Sequence, residues 1–193
     1  EKYIARCLRS LLNQSIERRS YELIVINDGS IDKTQKILEF FKDAFREEIK
    51  IIINEKNIGL PASLNLGIKA SKGKYIVRVD SDDYVNKHFL STLYLMITLN
   101  PNYSAVACDY YLVDNEEKVL EQVNCDESPI GCGIIFETNH MKSIGFYDEK
   151  YLINEEKEFR ERYEKKYSIK RLAMPLYRYR RHDKNMTNQN ENK

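Results

Sequence analysis

Asp80, Asp82 and Asp83 crowd three carboxylates into the end of KYIVRVDSDDY, the segment from Lys74 to Tyr84. Tyr75 to Val79 supply mostly β-branched and aromatic residues suited to a sheet interior. The carboxylates should therefore emerge at the carboxyl end of a strand, where open α/β sheets bind ligands. Like charges this close repel one another, and a divalent cation relieves the repulsion. Oxygen donors suit Mg²⁺ or Mn²⁺, which retain waters and share substrate phosphates as ligands. The pattern points to a metal-bridged diphosphate site. Ser81, Asp82 and Asp83 also make a good polar turn and helix N-cap ahead of Val85 to Leu99, and spacing alone weighs the two readings about equally.

Other residues carry weaker signals. Asn27-Asp28-Gly29-Ser30 is a turn sequence in any protein. Glu155, Glu156 and Glu158 put negative charge in what reads as the first turn of a helix, where the helix dipole favours it. Arg180, Arg181 and His182 form a cationic cluster able to meet a diphosphate, or simply a solvated strand end. Cys7, Cys108, Cys125 and Cys132 lack the paired spacing of a zinc site and are sparse for a disulfide scaffold, which suggests reduced thiols in a cytoplasmic protein. Cys132, between Gly131 and Gly133, reads as a small residue beside closely approaching backbone rather than a nucleophile.

The elements that must position these groups follow from periodicity. Ile4, Leu8, Leu11 and Leu12 have helical spacing, and Glu22 to Ile26 is a β-type run. Ser30 could cap a helix whose apolar face is Ile37, Phe40, Phe41, Ala44 and Phe45. Ile49 to Ile53 is the next strand; Pro61 suits the first turn of a helix reaching Ala70, and Gly73 its C-terminal stop. This alternation predicts an α/β fold with a mostly parallel sheet and helices on both faces. The second half is less regular. Ala105 to Val113 and Ile134 to Phe136 read as strands, Asn115-Glu116-Glu117 as a turn, Asn154 to Tyr167 as a charged helix, and Ile169 to Tyr179 as an extended segment interrupted by Pro175.

With 193 residues, 42% of them hydrophobic, the chain has enough apolar material for one substantial core, so a single domain is the default. Lys and Arg total 31 against 30 Asp and Glu, a balance that gives no support for a nucleic-acid binder. No apolar run approaches the roughly 20 residues that span a bilayer, and the charged N-terminal stretch lacks the apolar core of a signal peptide. A soluble chain is expected.

Four segments, taken in order, resemble the family 2 glycosyltransferases, inverting nucleotide-sugar enzymes of GT-A type fold. ELIVINDGSIDKT (Glu22 to Thr34) is similar to their strand-to-loop segment, and NEKNIGLPASLNLGIKASKGKYIVRVDSDDY (Asn54 to Tyr84) to their central block. PIGCGIIF (Pro129 to Phe136) with IGFYDEKYLINEEKEFRER (Ile144 to Arg162) resembles the glycine loop and acidic helix on the acceptor side, and YRYRRHDKNMT (Tyr177 to Thr187) the closing segment. Two departures stand out. The family's first hydrophobic strand is missing ahead of the helix at Glu1 to Asn13, which predicts an upstream apolar strand in the natural protein, and Asn27 replaces the first of two usual aspartates.

The resemblance implies roles. Asp28 would accept the uracil N–H, with Asn57, Asn65, Asp80 and Arg181 also on the nucleotide; Asp82, Asp83 and His182 would serve Mn²⁺ or Mg²⁺. Glu156 aligns with the general base, with Glu155 the competing assignment. A nucleotide-binding half would cover about 1–100, an acceptor-side half about 101–184 and a polar tail 185–193. The implied activity is hexosyl or N-acetylhexosaminyl transfer from a nucleotide sugar, a UDP-sugar first, to a glycan or lipid-linked acceptor. The implied place is the cytoplasm, including the inner face of the cell membrane. A silent glycan- or nucleotide-binding module and a nucleotidyltransferase are the alternatives.

Overall fold

Leu8, Leu11 and Leu12 bury one stripe of the first helix, α1 (Ile4–Leu12), as their three- and four-residue spacing dictates. The computed structural model describes residues 1–46, 48–183 and 185. Of the polar tail expected over 185–193, all but Asn185 lies outside the described residues. Strands β1 (Leu23–Asp28) and β2 (Ile49–Asn54) pair in parallel through the crossover helix α2 (Thr34–Ala44). Leu38 and Phe41 of α2 pack with Ile4, Leu8 and Leu12 of α1 and Ile49 of β2. Ser30 does not cap α2. The N–H of Ser30 instead donates to Asn27 Oδ1, and Asp32 accepts from the N–H of Thr34, because the chain makes one more turn before helix dihedrals begin. Helix α3 (Leu60–Ala70) has Pro61 in its first turn and is closed by Ser71, two residues before Gly73.

The remaining strands are β3 (Tyr75–Val77), β4 (Tyr84–Val85), β5 (Ala105–Val113), β6 (Val119–Val123), β7 (Ile134–Glu137) and β8 (Ile169–Arg180). Helix α4 (Phe89–Leu99) follows β4; α5 (Thr138–Ile144) and α6 (Glu155–Glu164) lie between β7 and β8. These strands form a mixed sheet in the order β3-β7-β5-β8-β4, with β6 also on β5. The α/β class holds, in a mixed arrangement: among the described residues β1 with β2 and β5 with β8 run parallel, in the longest ladders, and the other pairs are antiparallel. Strand–helix alternation governs the first half alone. Beyond it, β5 and β6 are joined by a short turn at Asp114 to Lys118, a connection that antiparallel neighbours alone permit. Pro175 falls where the β5–β8 register slips, between Cys108 and Tyr110, so its missing N–H interrupts no regular ladder.

Phe89, Leu93 and Ile97 of α4 pack on Val106, Tyr110 and Tyr177 of the sheet. On another side Phe136 meets Tyr163 edge-on at 5.0 Å, and Tyr147 stacks on Phe159 at 4.5 Å, docking α6 and the loop before it. All four cysteines are buried and unpaired as disulfides. Among the described residues, no helix is long and apolar enough to cross a membrane.

Candidate active site

The acidic segment leaves β3 as a tight turn, with the N–H of Asp83 donating to the Asp80 carbonyl at 3.1 Å. It does not cap a helix. Tyr84 and Val85 pair with Arg178 and Tyr177 as β4, and α4 begins later, its entry fixed by Asn86 Oδ1 accepting from the N–H of His88. The three carboxylates then part company. Asp80 accepts Arg78 Nε and Nη2 at 2.8 and 3.1 Å. Asp83, only 2% exposed, accepts the Tyr177 hydroxyl at 2.6 Å and the N–H of Arg180 at 2.7 Å. Asp82 turns to His182, with Oδ2 and Nε2 3.1 Å apart.

These partners set the charges. Burial opposes ionisation of Asp80, but the Arg78 guanidinium outweighs it and holds the carboxyl below its usual range. Asp83 lacks such a cation, so burial, with the charges of Asp82 and Asp80 added, pushes it well above that range. Ligand-type atoms of Asp80, Asp83 and Cys132 lie within 4.8 Å of one another. That group is a poor cation site, because Arg78 already neutralises Asp80 and burial keeps the Cys132 thiol protonated. Asp82 and His182 fit a cation better. Adjacent ligands each about 2.1 Å from Mg²⁺ stand roughly 3.0 Å apart in octahedral geometry, close to the 3.1 Å observed. His182 is also stacked on Tyr3, ring centres 5.0 Å apart, which fixes its plane.

Of the cationic cluster at the end of β8, Arg180 turns inward. It is 2% exposed and donates to the carbonyls of Asp82, Asp114 and Asn115, so it organises the turn rather than meeting solvent. The N–H of Arg181 donates to the Val113 carbonyl at 2.8 Å, extending the sheet to the residue before His182.

On the side of β1, Asp28 accepts the N–H of Ile58 and Gly59 and the amide of Asn54, at 2.9, 3.0 and 2.9 Å. Burial raises its pKa, but those hydrogen bonds prevail and the net shift is downward. Asn57 is exposed, its Oδ1 accepting from the N–H of Gly59. Gly29 has φ +69°, and a Cβ there would stand 2.6 Å from the Asn57 nitrogen, so only glycine lets the two loops meet. Asn65 is placed elsewhere. It is 3% exposed and clasps Tyr147, donating to its carbonyl at 2.9 Å and accepting its N–H at 3.0 Å. It therefore fastens the loop ahead of α6 instead of lining the Asp28 region. Asn65→Ala should strand both Tyr147 groups and lower stability by about 1–3 kcal/mol, measurable by urea unfolding.

Glu155 and Glu156 open α6 after Asn154, which has φ +60°. Glu155 is 3% exposed, with Oε1 3.0 Å from Arg78 Nη1. Burial raises its pKa, Arg78 counters, and the Glu156 charge adds to the rise. Glu156 is partly exposed and lines a small cleft of about 30 Å³ with Gly131, Ile130, Tyr147 and Phe159. A Cβ at Gly131 would lie 2.8 Å from the Cβ of Glu156, so the close approach read for this loop falls on Gly131, with Cys132 buried beside it. Sequence reasoning missed Arg78 and Tyr177 as site residues. A charged residue inside the apolar run YIVRV was the available signal for Arg78.

The Glycosyl transferase family 2 profile matches residues 1–156. The chain belongs to this family. Within it, glycosyltransferase GlyA of Streptococcus pneumoniae serotype 4 is 30% identical over 157 residues, 75% of this chain and 21% of GlyA. The poly(ribitol-phosphate) beta-glucosyltransferase of Bacillus spizizenii is 40% identical over 95 residues, 49% of this chain and 15% of that protein. The crystal structure of S. aureus TarS 1–349 in complex with UDP-GlcNAc superposes with a TM-score of 0.80 at 24% identity, over 96% of this chain and 56% of that one. The α/β fold of this family 2 chain is thus that of TarS, and the chain spans about a fifth of GlyA and just over half of the TarS fragment.

Proposed function

We propose that this family 2 chain forms the donor-binding and catalytic face of a metal-dependent inverting glycosyltransferase. It moves a hexose or N-acetylhexosamine from a nucleotide sugar, a UDP-sugar first, to a hydroxyl of a glycan or lipid-linked acceptor. The observation that carries this reading is the ion-pair chain Asp80–Arg78–Glu155, which joins the strand-end carboxylates to the carboxylate pair at the start of α6. A site for displacing a nucleoside diphosphate needs both in one place.

Each residue then has a task. Asp28, turned to the Ile58–Gly59 loop, would accept the uracil N–H beside the donors it already meets there. Asn57 borders the same loop, and Asp80 stands at the strand end for the ribose. Asp82 and His182 hold Mn²⁺ or Mg²⁺, with Asp83 as the buried carboxylate of the same turn and Arg181 contributing positive charge to the diphosphate. A cation held there would supply charge neutralisation for the leaving nucleoside diphosphate. Glu156 accepts the proton of the acceptor hydroxyl as its oxygen attacks the anomeric carbon from the face opposite the departing phosphate. The setting that suits these partners is the cytoplasm, at the inner face of the membrane where the acceptor is lipid-linked.

The test is a nucleotide-sugar panel with Mn²⁺ or Mg²⁺, UDP-GlcNAc included because TarS has been crystallised with it, followed by mass analysis of products. Release of free nucleoside diphosphate with a glycosylated acceptor is expected. Pyrophosphate release would make the chain a nucleotidyltransferase, and binding without turnover would make it a silent module.

A further inference from the structure

Arg78 is a guanidinium taken out of water, its side chain 12% exposed, with two carboxylates drawn in beside it. Such burial is expensive, and apolar residues of similar volume commonly give equal or greater stability. What a guanidinium supplies that they do not is a planar fork of fixed donors. Here the fork is divided, two bonds going to Asp80 and one, at 3.0 Å, to Glu155 at the start of α6. Two further observations give that division a purpose. Helix α6 has no side-chain cap, and it is entered through a left-handed residue, Asn154, so its first turn lacks the usual fastening. The glycine loop is pressed into the same spot: a Cβ on Gly131 would lie 2.9 Å from Arg78 Nη1 and 2.8 Å from the Cβ of Glu156.

We propose that Arg78 is a positioning residue for sugar transfer: by holding Glu155 it fixes the first turn of α6 against the acidic turn, and so sets where Glu156 stands relative to the donor. The inference rests on the function proposed above. Displacing a reacting group by about 1 Å costs on the order of 10²-fold in rate, so a loosened first turn lowers the rate of transfer while donor binding, made by the other side of the site, is retained.

Arg78→Lys keeps the cation but has no planar fork with which to hold both carboxylates. Glu155→Gln leaves the Arg78–Asp80 pair intact and tests the same fastening should the lysine variant fold poorly. In each, hydrogen exchange of the first-turn amides of α6 should accelerate by about tenfold as local opening becomes easier. In the Glu155 variant, which leaves Asp80 on Arg78, calorimetry with UDP and Mn²⁺ should give unchanged affinity and donor KM; in both variants kcat should fall about 10- to 100-fold, and the double variant should be no slower than the slower single. Unchanged exchange in the first turn of α6 overturns the proposal whether or not the protein is active. So do multiplicative losses in the double variant, or an equal loss of donor affinity and kcat in the Glu155 variant, which would make the Arg78–Glu155 contact merely structural. Absence of transfer in the unaltered protein refutes the assigned function instead, and the exchange measurement still decides whether Arg78 fastens the helix.

Discussion

Asp82→Asn should abolish most metal-dependent UDP binding and leave the fold intact. The side chain of Asp82 is about a third exposed, and its carboxylate meets His182. Its structural duty is carried by the main chain, whose carbonyl accepts Arg180 Nε at 2.9 Å, and the substitution preserves that contact. Asparagine has the same shape and can still bond the imidazole, but it removes the negative charge that attracts a hard cation to the site. Outer-shell changes around metal sites typically lower affinity 10- to 100-fold, and loss of a direct ligand should do at least as much. Calorimetry of UDP binding with and without Mn²⁺, beside thermal unfolding, separates the possibilities. Unchanged metal-dependent binding in the variant would move the ligand role away from Asp82. A collapsed melting transition would show that the turn depends on the charge itself.

The acidic turn shows both how far a sequence can be read and where such reading stops. Its position at a strand end was legible because Tyr75 to Val77 are typical strand residues, and Ala105 to Val113 was legible residue for residue for the same reason. The helix assigned from Val85 was too long. Tyr84 and Val85 are claimed by Arg178 and Tyr177, more than ninety positions on, and local periodicity carries no information about so distant a partner. Strand β6 escaped because four of its five residues are exposed and leave no burial pattern. The turn at Asn115 was visible, yet its consequence, an antiparallel hairpin inside a sheet expected to be mostly parallel, depended on β6.

Roles within the site divided in the same way. Asp28, Asp82 and Glu156 were marked by residue type and family pattern, which say that a carboxylate is present but not what holds it. Asp83 shares the metal reading with Asp82, in an assisting role. It differs because Tyr177 and Arg180 arrive from β8 and occupy its oxygens. Asn65 looked like a pocket residue and became a clasp because Tyr147, 82 residues later, folds against α3. Arg78 carries no reading from the sequence and gains a role because α6 brings Glu155 to it. In each case the decisive partner lies far along the chain, and only the tertiary fold supplies it.

Glu156→Gln should leave donor affinity in place and reduce transfer by roughly 10²- to 10⁴-fold, the usual contribution of a general base. Glutamine keeps the length and the hydrogen-bonding shape of the side chain but accepts no proton, so the acceptor hydroxyl must attack without assistance. Glu155 is the natural comparison because it is adjacent in sequence and opposite in circumstance. It is 3% exposed and bound to Arg78, whereas Glu156 is partly exposed and lines the cleft beside Gly131. Glu155 is buried with Oε1 taken by Arg78, so an incoming hydroxyl has little access to it, and Glu155→Gln should be milder, acting through the placement of its neighbour. Measuring UDP-sugar affinity and transfer rate for both variants ranks them. A large loss confined to the Glu155 variant would transfer the base role there, and little loss in either would reduce both carboxylates to helix-end charges.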